Sequence, residues 1–208
     1  MTKKAANSVL RTRQVIFEIL LTVLLIMPPP ALAGEALQTI ETRVNKALEV
    51  LRDPALKGKS SNEKREKKIR SIVDGIFDCT ELSKRTLAFH WKDFTPEQQK
   101  EFAHLFGKLL SGVYMDKILS YTNEKVTFGK EAKLSENTTD VESEIVTQTK
   151  SIQVRYRLIL QEGEWKVYDV SIEGVSLVQN YRSQFREILR KETPERLLKI
   201  LREKVGKA

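Results

Sequence analysis

The amino-acid sequence predicts an α+β domain in which several helices pack on one face of a four-stranded antiparallel sheet. Residues 35–121 carry apolar side chains at helical spacing, residues 125–172 alternate apolar and polar side chains, and residues 175–189 return to helical spacing. Short connections between strands favour antiparallel neighbours. Helices that are segregated to one face of such a sheet are typical of α+β proteins.

The N-terminal 33 residues have the layout of a secretory signal peptide. Four basic residues precede an apolar run over residues 19–27, which is too short to span a bilayer, and three prolines then lead to a small-x-small site at residues 31–33. We expect cleavage after Ala33, export of the chain, and a single domain of residues 34–208. An uncleaved membrane anchor is the alternative, because Glu18 interrupts the apolar region.

Composition restricts the partners and the source of stability. The 208-residue chain has a formal net charge of +8, and removal of the first 33 residues leaves 32 Lys plus Arg against 27 Asp plus Glu. This excess weakly favours anionic partners such as phosphate headgroups and membrane surfaces, and nucleic acid is not expected for an exported protein. Cys79 is the only cysteine, so no internal disulfide can form. We expect it to be a buried small hydrophobe rather than a reactive thiol.

The first helical signals follow the cleavage site. Residues 35–52 place their apolar side chains on one face. Residues 57–68 are rich in Lys and Arg and predict a solvated loop that leads into a helix over residues 69–77. Asp78, with a glutamate three residues later, predicts the N-cap of another helix that runs to about His90.

The strongest helix start lies at residues 95–98, where Thr is the cap, Pro is the first helical residue and Gln follows three residues after the cap. The apolar stripe behind it predicts a long helix that extends as far as Tyr121. Gly107 and Gly112 lie inside this helix, each at a cost of about 1 kcal/mol relative to Ala. Their presence indicates close packing, or space left for another group.

Four strands are predicted from the alternating pattern. They are centred on residues 126–128, 141–145, 152–160 and 165–172, and Gly163 marks a hairpin between the last two. The chain then changes to helical spacing without a loop-rich break.

The strand-to-helix junction brings apolar and aromatic side chains together. Gly174 supplies the backbone freedom for a sharp turn, and a helix from about Ser176 would fold back over the sheet. A last helix is predicted to begin near Thr193. Side chains from the closing helix and the sheet would line whatever space lies between them.

Catalytic and metal-binding signals are sparse. His90 and His104 lie on separate predicted helices without metal-ligand spacing, and one cysteine cannot make a thiolate zinc site. No cofactor or metal is predicted. Asp169, which follows Tyr168, is the one candidate general base for the alternative function, a small-molecule isomerase-like enzyme. The simpler expectation is that this carboxylate is hydrogen-bonded or faces solvent.

Binding signals are more abundant. All five tyrosines fall in the long helix, the sheet or the closing helix, and tyrosine suits a pocket mouth because it combines an apolar body with a polar tip. Arg182 and Arg186 follow Tyr181 within the next turns, where a guanidinium could meet a phosphate. The pattern therefore favours a binding pocket over a catalytic site. A ligand-free adaptor that docks through its basic surface is a further alternative.

Two segments resemble the MlaC family, the toluene-tolerance auxiliary proteins of Gram-negative bacteria. They are FDCTELSKRTLAFHWKDFTPEQQKEFAHLF, residues 77–106, and WKVYDVSIEGVSLVQNYRSQFREIL, residues 165–189. The second is the more specific, since it joins a tryptophan-started strand to Glu-Gly-Val-Ser and Asn-Tyr-Arg-x-Gln-Phe. The order and spacing of the helices agree across essentially all of the mature chain.

The resemblance implies a soluble, monomeric periplasmic carrier with a curved sheet, similar to the nuclear-transport-factor cone. Such a carrier holds the acyl chains of a diacyl phospholipid in a deep apolar cavity and leaves the headgroup near the surface. It shuttles phospholipid between an outer-membrane Mla lipoprotein complex and the inner-membrane Mla ABC transporter complex, and so maintains outer-membrane lipid asymmetry. The resemblance implies neither a cofactor nor catalysis.

Periodicity within the matched segments predicts the lining of this cavity. Arg182 is expected at its mouth, near the headgroup. The predicted lining consists of Phe102, Phe106, Leu109, Val113, Tyr114, Tyr156, Leu158, Val170, Ile172, Val178, Tyr181 and Phe185. The chain departs from the family at Cys79, where an aromatic or aliphatic residue is common, and at Ala88-Phe89, where a glycine often precedes the His-Trp pair. Both departures bear on the volume of the cavity.

Overall fold

The computed structural model describes residues 34–56, 58, 61–121 and 124–206. The predicted signal peptide lies outside these residues. The described chain forms an antiparallel sheet with helices before and after it, as predicted.

The first two helices differ in how well the sequence predicted them. Helix α1 spans Glu35–Arg52, and a 3₁₀ turn, Pro54–Leu56, follows it. Helix α2 spans Asn62–Ile76, so the prediction of a loop as far as Lys68 is wrong. Lys, Arg and Glu are good helix formers, and a 2.6 Å ion pair between Glu66 and Arg70, one turn apart, adds to their preference.

The predicted caps of the next two helices are confirmed. Helix α3 spans Cys79–Leu87, and the Asp78 carboxylate accepts a 2.8 Å hydrogen bond from the backbone N–H of Glu81. A 3₁₀ segment, Ala88–Asp93, replaces the predicted end of this helix. Helix α4 spans Pro96–Leu119 and opens with a reciprocal capping box between Thr95 and Gln98.

The sheet contains the four predicted strands and one short additional strand. The strands are β1 (Lys125–Lys133), β2 (Thr138–Val146), β3 (Ser151–Gln161), β4 (Glu164–Ile172) and β5 (Val175–Ser176), in that order, with every neighbouring pair antiparallel. The extra strand forms because the tight turn at Glu173 and Gly174, both at positive φ, returns the chain along β4 before the helix begins. Register shifts in the β1–β2 and β3–β4 pairs bend the sheet.

Two helices close the described chain. Helix α5 spans Leu177–Leu189 and is capped by the Ser176 hydroxyl, and helix α6 spans Pro194–Val205 and is capped by the Thr193 hydroxyl. Both starts agree with the sequence prediction to within about one residue. None of the helices within the described ranges is long and apolar enough to cross a membrane.

The core divides into two main apolar clusters. The helical cluster is formed by α3, α4, α5 and α6, and its buried members include Leu82, Phe102, Phe106, Phe185 and Leu197. The sheet cluster lies between the sheet and the first two helices, and its buried members include Ile40, Ile76, Val141, Leu158 and Val167. A smaller cluster joins Leu51, Ile69 and Met115.

Candidate functional site

Cross-strand rows on the helix-covered face of the sheet change from buried at one end to half-buried at the other. The row at the buried end contains Thr139, Leu158 and Val167. The row at the half-buried end contains Val126, Ile145 and Ile152. Apolar side chains on the covered face of a sheet are normally enclosed by the core. This gradient therefore indicates that the space between sheet and helices is open at the Ile152 end.

Tyr156 locates this space at the centre of the sheet. It lies on the middle strand β3, between the buried residues Val141 and Val170, yet its side chain is only half-buried. Burial raises the pKa of its hydroxyl, an effect that the nearby Ser143 hydroxyl partly offsets. Because its neighbours on both sides are buried, the accessible part of the Tyr156 side chain borders the space between the sheet and the helices.

The walls of this space come from the sheet, from α1, from α4 and from Phe77, which lies between α2 and α3. We call it the chamber and define it by the half-buried apolar residues packed on the sheet cluster. The chamber residues are Leu37, Val44, Phe77, Tyr114, Phe128, Ile145, Ile152, Tyr156, Leu160 and Ile172. The Glu131 carboxylate of β1 accepts a 2.8 Å hydrogen bond from the backbone N–H of Leu37, which holds the first turn of α1 against the sheet.

Five of the twelve predicted lining residues lie on the sheet side of the molecule. Tyr114, Tyr156 and Ile172 are chamber residues. Leu158 and Val170 are buried in the sheet cluster beside them.

The other predicted lining residues lie elsewhere. Buried members of the helical cluster are Phe102, Phe106, Leu109, Val178 and Phe185, and Tyr181 packs against them half-buried. The rings of Phe102, Phe106, Tyr181 and Phe185 contact one another at centroid distances of 5.0–5.6 Å. Val113 is 45% exposed. The structure thus separates the predicted set into a chamber wall and a packed aromatic core.

Arg182, the predicted headgroup residue, makes a structural contact. Its Nε and Nη2 atoms donate hydrogen bonds of 3.1 and 2.6 Å to the backbone carbonyl of Arg85 near the C-terminal end of α3. Carbonyls in the last turn of a helix have no intrahelical donor, so the Arg182 guanidinium caps α3 from the neighbouring helix α5.

Asp169, the candidate general base, is also a structural group. Its side chain is 2% exposed. Its carboxylate accepts hydrogen bonds of 2.6 Å from the Ser176 hydroxyl and 3.1 Å from the backbone N–H of Val178. Arg157 lies at 4.0 Å. Both carboxylate oxygens therefore stabilise the start of α5.

The two histidines lie apart, as the sequence predicts. His90 pairs with Asp93 at 2.8 Å through Nδ1, and His104 is exposed on α4. The described part of the chain holds no group of three or more His, Cys, Asp or Glu side chains arranged to bind a metal ion.

A polar groove of about 390 Å³ lies outside the chamber, between α1, the end of α2 and the β3–β4 hairpin. Its lining includes Glu35, Arg43, Glu164 and Lys166. Such charged walls do not suit acyl chains, so the chamber is the better candidate for an apolar ligand.

Comparison with known families identifies the chain. The family model described as MlaC protein matches residues 41–203, which is most of the chain. The chain belongs to the MlaC family. This agrees with the resemblance of residues 77–106 and 165–189.

Two relatives with described roles match part of the chain at about one quarter identity. The intermembrane phospholipid transport system binding protein MlaC of Haemophilus influenzae is 26% identical over 119 residues, which cover 55% of this chain and 56% of that protein. The toluene tolerance protein ttg2D of Pseudomonas putida is 25% identical over 131 residues, covering 59% and 58% of the two chains. The chain thus spans a little over half the length of each.

A solved structure has the same fold. The phospholipid-binding protein from Ralstonia solanacearum, solved in complex with a phospholipid, superposes with a TM-score of 0.73 at 24% identity. The match covers 82% of this chain and 96% of that protein.

The two departures from the MlaC family pattern have local structural consequences. Cys79 is half-buried, and burial together with Asp74 and Asp78 raises the pKa of its thiol. A Cβ atom placed on Gly107 would lie 3.1 Å from Cys79 Sγ, which confirms the close packing expected at that glycine. Ala88 has φ 53 and ψ −121, a conformation that favours glycine, and the next residue, Phe89, is 68% exposed.

Sequence reasoning missed most of the chamber wall. Leu37 and Val44 lie on the apolar stripe of α1, and Phe128, Ile145 and Ile152 alternate correctly along their strands. The periodic signal was present, but periodicity does not say which apolar faces enclose a space and which pack directly together.

Proposed function

We propose that the protein is an exported phospholipid carrier that acts in the periplasm without chemical catalysis. The observation that carries this proposal is Tyr156, which lies on the middle strand of the sheet between two buried neighbours and still keeps accessible surface. Membership of the MlaC family supports it, as does the shared fold of a protein solved with a phospholipid.

The physics of acyl chains explains why a carrier needs a chamber. Burying one methylene is worth about 0.8 kcal/mol, so two long chains represent on the order of 20 kcal/mol of unfavourable exposure to water. A flat surface patch leaves much of each chain wet. A space between sheet and helices, walled by side chains such as Phe128 and Ile152, can cover the chains on several sides.

Extraction and release then require only partition. Acyl chains move from a membrane or a partner protein into the chamber and leave when the receiving site offers similar or better burial. Asp169, the carboxylate that would serve an enzyme, is already committed to the Ser176 hydroxyl and the Val178 backbone. The geometry therefore favours binding over catalysis.

We further propose that the partners are the outer-membrane Mla lipoprotein complex and the inner-membrane Mla ABC transporter complex. Family membership supports this assignment, and the basic excess of the chain suits membrane-associated, anionic surroundings. Because partition is reversible, these partners rather than the carrier set the direction of transport.

Native mass spectrometry tests the carrier function. The full chain should be expressed in a Gram-negative host, recovered from the periplasm without detergent, and analysed before and after lipid extraction. We expect about one diacyl phospholipid per chain and a mature N-terminus after Ala33. A protein that stays empty after incubation with phospholipid vesicles would favour the ligand-free adaptor, and an N-terminus at Met1 would indicate the uncleaved anchor.

A further inference from the structure

The 3₁₀ segment between α3 and α4 presents an aromatic side chain to solvent. Phe89 is 68% exposed, more than any other exposed large apolar side chain among the described residues. Its ring lies against that of His90, with centroids 4.0 Å apart. Trp91, two residues further on, packs instead against the helical cluster. The segment therefore buries part of one large aromatic side chain and leaves another in solvent.

The backbone beside Phe89 is held in an unfavourable conformation. Ala88 has φ 53 and ψ −121. Such strain persists only where the surrounding structure enforces it, and strained positions cluster at functional sites. The side-chain amide of Gln99 on α4 donates hydrogen bonds of 2.9 and 3.2 Å to the carbonyls of Trp91 and Phe94. Phe89 is thus presented by a segment that α4 holds in place.

Two exposed lysines flank Phe89 in the chain. Lys84 lies in the last turn of α3, where its carbonyl accepts a hydrogen bond from the Ala88 N–H. Lys92 follows Phe89 by three residues, and residues at this spacing lie on the same side of a 3₁₀ helix. Among the residues that the structure describes, neither ammonium has a carboxylate within ion-pair distance.

The two acidic side chains of residues 80–93 are already paired. Glu81 pairs with Arg85 at 2.7 Å, and the Asp93 carboxylate lies 2.8 Å from His90 Nδ1. The Arg182 guanidinium adds a further positive charge here, since it donates to the Arg85 carbonyl. This end of α3 therefore combines an exposed aromatic ring with a local excess of positive charge.

We propose that Phe89, Lys84 and Lys92 form a docking tip that inserts into the surface of an anionic bilayer. An exposed aromatic ring is buried at the boundary between headgroups and acyl chains, and lysines beside it are attracted to anionic lipids. A standard protein–protein interface covers about 800 Å² on each partner. One projecting ring with flanking lysines is much smaller, so the charge and the size of the tip both favour a lipid surface over a protein.

The docking tip lies outside the chamber. Phe77, a chamber residue, precedes α3, whereas Phe89 follows it. The nine residues of α3 separate the two by about 13 Å of helix. The inference therefore goes beyond lipid loading: it assigns a direct membrane contact that would concentrate the carrier at a bilayer surface while the chamber holds its ligand.

Vesicle flotation of the exported, purified protein tests the docking tip. The vesicles contain phosphatidylcholine alone or an equal mixture of phosphatidylcholine and phosphatidylglycerol. Phe89→Ala removes the ring, and Lys84→Gln and Lys92→Gln each remove one charge. The matched controls are Leu134→Ala, an apolar side chain that is 50% exposed between β1 and β2, and Lys108→Gln, an exposed lysine of α4.

We expect the wild-type protein to bind the mixed vesicles at least about tenfold more strongly than phosphatidylcholine vesicles, because each lysine near an anionic surface contributes about fivefold. Phe89→Ala should weaken binding to the mixed vesicles about tenfold, since the ring is no longer buried in lipid. Each Lys→Gln change of the tip should weaken it about fivefold. Both controls should bind as the wild-type protein does, and added salt should weaken binding.

Fluorescence locates the inserted residue. Phe89→Trp should keep vesicle binding, and vesicles with brominated acyl chains should quench its emission. Trp91 and Trp165 are already present, so the wild-type protein gives the background. Leu134→Trp is the matched control. We expect stronger quenching in Phe89→Trp than in either reference, and equal quenching in the two variants would contradict insertion at Phe89.

The remaining outcomes separate this inference from the carrier function. If the wild-type protein does not bind anionic vesicles but still carries phospholipid in native mass spectrometry, the docking tip is wrong and the carrier function stands. Unchanged vesicle binding by Phe89→Ala would also overturn the tip. Binding only to membranes that contain the proposed Mla partner complexes, lost in Phe89→Ala, would assign the ring to a protein contact instead.

Discussion

The Asp169 carboxylate accepts a hydrogen bond from the backbone N–H of Val178 and so joins the last long strand to the start of α5. We expect Asp169→Asn to lower the free energy of unfolding by about 1–2 kcal/mol, because an amide replaces a buried charged acceptor. Phospholipid loading should persist. Chemical denaturation and lipid extraction measure the two effects, with Asp116→Asn on α4 as the exposed control. An unchanged free energy of unfolding would contradict this structural role of Asp169.

Ala88 offers a test of backbone strain. Its φ of 53 and ψ of −121 are unfavourable for a residue with a Cβ atom. We expect Ala88→Gly to raise the free energy of unfolding by about 1 kcal/mol, because glycine relieves the strain. Ala132→Gly, in an exposed part of β1, should lower it. Destabilisation by both changes would show that Ala88 is not strained in solution.

Gly107 and Cys79 should be energetically coupled. A Cβ atom on Gly107 would lie 3.1 Å from Cys79 Sγ, so the sulfur must shift to accommodate it. We expect Gly107→Ala to be about 1 kcal/mol less favourable in the native background than in a Cys79→Ala background, where only the helix preference for alanine remains. Thermal or urea unfolding of the four proteins gives the coupling. Strict additivity would contradict the close contact.

The chamber can be tested by filling it. Tyr156→Trp should reduce the affinity for phospholipid about tenfold, because the larger ring takes the room of about two methylenes at about 0.8 kcal/mol each. Arg155→Trp is the matched control, since Arg155 is exposed on the opposite face of β3. Displacement of a fluorescent fatty-acyl probe by phospholipid measures both affinities. Equal affinities in the two variants would argue against a chamber at Tyr156.

An acid-sensitive contact joins α4 to α6. Arg202 donates two hydrogen bonds to Glu101, of 2.7 and 2.9 Å, which lower the pKa of Glu101 below its ordinary value of 4.5. A lowered folded-state pKa means that the contact stabilises the protein above pH 4.5 and loses this effect as the pH falls through the folded pKa.

We therefore expect the unfolding free energies of wild type and Glu101→Gln to differ at neutral pH and to converge in acid. The difference should be small, since both side chains are exposed. Parallel curves across the whole pH range would contradict the assignment.

Local signals in the sequence predicted the elements well, because each is encoded by residues close together in the chain. The capping box at Thr95 and Gln98 and the cap at Asp78 form as predicted. The start of α2 was missed because the charged residues before Ile69 read as solvated loop, whereas a solvated helix has the same composition.

The chamber depends on distant contacts and was predicted only in part. Tyr114 and Phe106 lie on the same predicted helix, but one faces the sheet and the other faces α5. Sequence periodicity shows that both residues are apolar, but it does not show which of them faces the sheet and which faces α5. The contact of Arg182 was likewise not predicted, because its acceptor, the Arg85 carbonyl, is 97 residues away in sequence.

The separation of the aromatic core from the chamber has a consequence for emptying. Phe102, Phe106 and Phe185 contact one another directly, with ring centroids 5.3–5.6 Å apart, so the contacts that hold this half of the protein together come from its own side chains. A carrier passes through an unloaded state in every cycle. In the unloaded state of this protein the helical cluster would keep its packing, and any loss of stability would be confined to the sheet side.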